Sequence, residues 1–240
     1  MKKLIIFFST ITIIVSFSSC LSIIASKVNL KQTSPKLERI STPNKEVYFL
    51  GMAHLANSEF YENTRKIITD FQKKGFIFYI ENTVAYDSNK LISDTLYLKK
   101  FRKISQIDLT RKYSQLSNPL MQKIIKKYEL IDQPSYQVLG VINSTWVDYS
   151  YIDLINLYEQ KYSIIKLDSC DIETNLKEQY NCNFDKSVKN TFIKEIIYKE
   201  RNNLIAKTII NSNDKKIVII YGKNHLEGVQ KALTQLNNNN

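Results

Sequence analysis

Unbroken apolar runs and runs with helical spacing alternate along the chain, and the alternation predicts elements of two kinds. "EVYFLG" (46–51) and "FIFYIE" (76–81) are short apolar runs bounded by turn residues, the form taken by strands buried on both faces. Between them, "NSEFYENTRKIITDFQKKG" carries Phe60, Ile67, Ile68 and Phe71 on one helical face, with Asn57 or Ser58 as cap and Gly75 as stop. Residues 46–81 therefore read as a β-α-β unit, whose two strands run parallel.

The pattern from 88 to 160 is mainly helical: "SNKLISDTLYLKKFRKI", "NPLMQKIIKKYEL" and "YIDLINLYEQK", with turns around Pro119 and Pro134. Strands return with "YSIIKLD" (162–168). A long helix from about Ser187 to Ile210 follows, and then "KIVIIYG" (216–222) leads into "HLEGVQKALTQL". The expectation is an α/β fold with a mostly parallel central sheet flanked by helices. Residues 88–160 form a helical insertion between the second and third core strands, and 46–236 form a single domain.

The N-terminus departs from this pattern. Two lysines, an apolar stretch from Leu4 to Val15 and small polar residues up to Cys20 follow the order of a secretory signal, and the stretch is shorter than a bilayer-spanning helix needs. Ser18 and Ser19 before Cys20 resemble a bacterial lipobox, although Phe17 stands where the pattern prefers Leu. The reading is a signal peptide over 1–19, lipidation of Cys20, a Ser/Thr/Lys/Pro tether over 20–45, and an exported protein anchored to the bacterial envelope membrane. Plain secretion and an uncleaved anchor remain the alternatives.

Composition narrows the chemistry. With 43% hydrophobic and 24% charged residues in 240, the chain can bury a substantial core without needing disulfides. Loss of Lys2 and Lys3 with the signal lowers the formal charge from +11 to +9. The basic clusters "KKFRK" (99–103) and "KIIKKYE" (123–129) are interleaved with apolar residues at helical spacing. They read as solvated helix faces, or as a face toward anionic lipid, before they read as a nucleic-acid surface. Cys170 and Cys182 are near enough in sequence to close a short loop, match no zinc motif and have no histidine beside them.

Both histidines of the chain stand in the same frame. "YFLGMAHL" (48–55) and "VIIYGKNHL" (218–226) each run from an apolar strand through glycine to histidine three residues on. In an open parallel sheet, ligands bind beyond the carboxyl ends of the strands. Four predicted strands end in capable residues: Gly51 to His54, Glu81, Asp168, and Gly222 to His225. Two imidazoles and one or two carboxylates meeting at one rim form a sufficient donor set for a catalytic divalent ion.

The paired "GMAH" and "GKNH", with Glu81 after the second strand and "ERNNLIA" (200–206) on the helix before the last, resemble the TraB/GumN/Tiki superfamily. That superfamily has distant ties to ChaN-like haem-binding lipoproteins and erythromycin esterases. The resemblance spans about Glu46 to Leu236, with Met52 in place of the more common Thr and a helical middle that does not align. It implies a membrane-anchored, metal-dependent hydrolase of peptide or ester bonds, with His54, His225 and Glu81 holding Mn, Co, Zn or Fe. Glu81, Arg201 and Asp168 would serve in catalysis, with Asn202 beside Arg201 as a further polar partner. A secreted peptide or a small molecule is the implied substrate. The alternatives are a non-catalytic protein that binds a haem-like ligand and one that sequesters a peptide.

Overall fold

The computed structural model describes residues 32–81, 91–115 and 118–238, with the side chains of 91–94 left aside. The signal segment, Cys20 and the first part of the tether lie outside the described residues. Five strands form the central sheet: β1 (Lys36–Ile40), β2 (Glu46–Met52), β4 (Ile77–Ile80), β6 (Ser144–Trp146) and β7 (Lys216–Gly222). Their order is β1-β2-β7-β4-β6, and the last four run parallel while β1 pairs antiparallel with β2. A separate two-stranded ribbon joins β3 (Leu55–Ala56) to β5 (Ile131–Asp132). The α/β expectation, with a mostly parallel sheet between helices, is what the chain adopts.

β7 shows how the sequence encodes the two layers. Val218 and Ile220 point to one face, where Phe60, Ile68 and Phe71 of α1 (Ser58–Lys73) cover them together with Leu50 and Phe78. Ile217, Ile219 and Tyr221 point to the other, beneath Ile205 and Ile209 of α7 (Arg201–Asn211) and Val229 and Leu233 of α8 (Leu226–Asn238). Both faces are apolar, so the strand reads as a continuous run. Helix α1 starts where the pattern placed it: the Asn57 side chain accepts from the Phe60 N–H at 2.8 Å. It stops at Gly75, which takes φ +76°, a conformation that a residue with a Cβ rarely adopts.

The middle of the chain is helical, with α2 (Leu91–Ser105), α3 (Pro119–Lys127) and α4 (Tyr151–Lys161). It also supplies β6, so it contributes to the sheet as well as covering it. Phe101 and Ile104 from α2 pack with Leu154, Ile155 and Tyr158 from α4 against Phe192 and Ile196. The last two lie on a π-helical segment (Phe192–Glu200) that follows α6 (Lys186–Thr191) and runs directly into α7. One long rod was expected there, and one rod is present, with its centre in the wider π form.

Two expectations are corrected. Residues 162–168 are not a strand: they run as irregular chain from α4 to α5 (Ser169–Glu173), with Ile164 70% exposed. The sheet edge they would have occupied belongs to β6, which sits against β4. The tether is also shorter than 20–45, because Lys36–Ile40 pairs with β2 over its whole length, Lys36 opposite Gly51 and Ile40 opposite Val47. A charged, mostly exposed edge strand carries no apolar period to announce it.

Candidate active site

β2 and β7 are hydrogen-bonded neighbours in parallel register, with Gly51 opposite Tyr221 and Met52 opposite Gly222. The two G-x-x-H turns therefore leave the same edge of the sheet side by side. They also pack on each other: a β-carbon on Gly51 would stand 3.1 Å from the Lys223 Cβ, so the first glycine makes room for the second turn. β4, on the other side of β7, is followed at once by Glu81, and β6 beyond it leads to Asp148. All four parallel strands deliver chemistry to one cleft of about 400 Å³, lined among others by His54, Glu81, Asp148, Arg201, Gly222 and His225.

The turns differ after the glycine. His225 closes a short 3-10 turn (Lys223–His225) that continues into α8. His54 instead precedes the ribbon strand β3. Its backbone is held on both sides, since the Tyr61 hydroxyl donates to the Ala53 carbonyl at 2.9 Å and Gln133 N–H donates to the His54 carbonyl at 2.9 Å. The His54 ring stacks on Tyr113, with centroids 4.6 Å apart and planes 13° from parallel.

At the centre lies Arg201, 8% exposed, at the junction between the π-helix and α7. Its Nε donates to Asp148 Oδ1 at 2.7 Å. Its Nη2 donates to Asp148 Oδ2 at 2.6 Å and to Glu81 Oε1 at 2.7 Å. Glu81 Oε2 accepts the Gly222 N–H at 2.9 Å, which ties the carboxylate to the second histidine turn. Arg201 Nη1 faces His225 Nε2 at 3.4 Å, and the guanidinium lies over the Tyr221 ring at 5.0 Å. Bidentate pairing of this kind fixes orientation as well as charge.

His225 is 4% exposed and held by the neighbouring helix: its Nδ1 and Asn202 Oδ1 are 2.7 Å apart. The amide oxygen can only accept, so Nδ1 carries the proton and Nε2 keeps its lone pair toward Arg201 Nη1. Burial first, and then the Arg201 guanidinium, push the His225 pKa down to about 4, so the ring is neutral at neutral pH. Burial works against the Glu81 charge, but Arg201 and the two imidazoles outweigh it and hold the carboxyl below its ordinary range. Arg201 is likewise opposed by burial yet held firmly protonated by Glu81 and Asp148. Two carboxylates around one guanidinium leave a surplus negative charge beside His54.

The structure thus brings together His54, Glu81, Arg201 and His225, with Gly51 and Gly222 at the turns. Asn202, expected beside Arg201 as a polar partner to substrate or to a carboxylate, holds His225. Asp168 stands apart. With no strand at 162–168, its carboxylate caps α5, accepting from Asp171 N–H at 3.1 Å and pairing with Lys103 at 3.0 Å, and its side chain is half exposed. Asp148 takes the place foreseen for Asp168, as the acid that follows the fourth parallel strand. The only trace in sequence is the short β-branched and aromatic run "STWV" before it. Cys170 and Cys182 are joined as a disulfide and are not among the residues that line the cleft.

A metal held by His54, Glu81 and His225 was the implied cofactor. As they are turned here, the three side chains do not form a group that could hold one. Among the described residues no group of three or more His, Cys, Asp or Glu side chains could hold an ion, Arg201 stands against His225 Nε2, and both Glu81 oxygens accept hydrogen bonds. No helix of the described residues is long and apolar enough to cross a membrane. No protein-family model matches the chain, and neither a curated protein nor a solved structure matches it.

Proposed function

We propose that the cleft is the active site of a hydrolase that transfers an acyl group from an ester or peptide bond to water, on a lipid-anchored protein of the cell envelope. The observation that carries this reading is the convergence of His54, Glu81, Asp148, Arg201 and His225 on the carboxyl ends of four parallel strands. His54 is the general base. It takes a proton from a water molecule as the water oxygen attacks the carbonyl carbon, and returns it to the leaving oxygen or nitrogen as the bond to that atom breaks. The surplus negative charge of the Glu81–Arg201–Asp148 group favours the imidazolium formed in that step.

Arg201 and Asp148 act as positioning residues, because the guanidinium is already committed to two carboxylates. His225, neutral and held by Asn202, turns Nε2 to the Arg201 guanidinium and orders the polar end of the site. Lipidation at Cys20 would keep the domain at the membrane surface, with the remainder of the tether as spacer.

The same surplus of negative charge supports a second reading, in which a divalent ion such as Mn, Co, Zn or Fe enters once His54 and His225 turn toward Glu81. The test is hydrolysis of 4-nitrophenyl esters and of a peptide 4-nitroanilide by the full chain, beside His54→Ala and Glu81→Gln. Loss of a general base costs about 10²- to 10⁴-fold, so His54→Ala should fall by at least that lower bound. Equal rates in the variant and the parent would overturn the assignment.

A further inference from the structure

The cleft lining is of two kinds. His54, Glu81, Arg201 and His225 are polar, whereas Phe101, Ile107, Leu154, Ile193 and Ile197 all belong to one apolar cluster built from the middle of the chain and the π-helical segment, and that cluster forms an apolar arm of the lining. The π-helical segment explains part of this division. Phe192 and Ile196 turn inward and are fully buried against α2 and α4, whereas Ile193 and Ile197, each one residue later, stay half-buried and face the cleft. π-Helical turns occur often at functional sites, and here the segment sets both this wall and the entry of Arg201.

The charges around the cleft also limit what it holds. Glu81, Asp108 and Asp148 are matched by Arg111, Arg201 and Lys223, and the Arg111 side chain is paired with Asp108 at 3.1 Å. The surplus at Glu81 and Asp148 is thus local, and over the whole lining the charges balance, so the apolar residues away from that group select no ion. An apolar arm next to a polar hydrolytic end selects an uncharged molecule with one long apolar part and one carbonyl group.

We propose that the arm between Phe101, Leu154, Ile193 and Ile197 is an acyl subsite, which seats the aliphatic chain of a neutral ester or amide so that its carbonyl lies at His54 and Glu81. This rests on the hydrolytic reading of the same cleft. Each methylene moved from water into the arm is worth about fourfold in affinity.

The test pairs binding with turnover. Octanamide and acetamide are titrated calorimetrically into the full chain and into Ile197→Asp, with Ile193→Trp as a second variant that fills the arm while keeping it apolar. Folding of each variant is checked by circular dichroism. In parallel, rates are measured with 4-nitrophenyl octanoate and acetate. Octanamide carries six methylenes more than acetamide; with about half of them fully seated it should bind on the order of a hundredfold more tightly, and both substitutions should cost at least tenfold. Octanamide binding without ester turnover would uphold the subsite and remove the hydrolytic reading. Turnover with no preference for the longer chain, or equal binding of the two amides, would overturn the subsite and leave that reading standing.

Discussion

Gly228 lies so close to Asn202 that a β-carbon built on it would stand 1.9 Å from the Asn202 amide nitrogen. This approach of α8 to α7 keeps the amide oxygen on His225 Nδ1, so a glycine with no chemistry of its own sets the tautomer of a site histidine. Gly228→Ala should push the amide away and leave a buried imidazole N–H without its partner. The expected cost is about 1–3 kcal/mol of stability. A changed ring-nitrogen shift of His225 by NMR would accompany it. Unchanged shifts would show that Asn202 does not hold the ring.

Breaking the Arg201–Asp148 pair should be felt across the whole site. Asp148→Ala leaves a buried guanidinium with Glu81 as its remaining carboxylate partner. Removing one member of a buried pair costs about 3–5 kcal/mol, and the low end of that range applies because Glu81 stays. Urea unfolding of the variant measures it. A loss below about 1 kcal/mol would mean that Asp148 is dispensable for holding Arg201.

Much of the layered core was legible because β2, β4 and β7 are buried on both faces and alternate toward two helical layers, which leaves an unbroken apolar run. The histidine frame was legible for a related reason: glycine after such a run marks the rim of a sheet. β6 was not, since Ser144, Thr145 and Trp146 are all exposed on an edge strand and give no period. With β6 unseen, "YSIIKLD" took its place, and Asp168 was assigned the role that Asp148 fills. Helical periodicity alone does not distinguish a π-helical segment from an α-helix of the same length, so the way Ile193, Ile197 and Arg201 come to line one cleft was open to no sequence argument.

Acid should destabilise the fold through His225. Its folded pKa, near 4, lies below the ordinary histidine value of 6.5, so between these two pH values the unfolded chain binds the proton that the folded chain refuses. The contribution is complete above pH 6.5 and is lost as pH falls toward 4, for a total of about 3 kcal/mol. Glu81 adds to the loss lower still: its folded pKa is depressed, so its contribution is present above the ordinary carboxylate range and disappears as pH falls through the folded value. Thermal unfolding from pH 7 to 4 should show a falling Tm, with a shallower slope in His225→Gln. An identical slope in the variant would move the effect to other groups.

The disulfide joins Cys170 to Cys182, twelve residues apart, and encloses the carbonyls of Thr174 and Asn175 that accept from Arg102. Closing a loop of this length is worth about 3 kcal/mol. Cys170→Ser/Cys182→Ser should lower stability by about that amount in oxidising buffer and not change it in reducing buffer. Equal stability of parent and variant without reductant would show that the bond does not form.

The central proposal is that the His54 imidazole, rather than a metal ion, activates water in the cleft. The measurement that meets it most directly is the rate of ester hydrolysis by the full chain after exhaustive chelation, parent against His54→Ala. Turnover that survives chelation in the parent and falls at least a hundredfold in the variant is the predicted result. Turnover that vanishes on chelation and returns with Mn²⁺ or Zn²⁺, or that persists unchanged in His54→Ala, would contradict it.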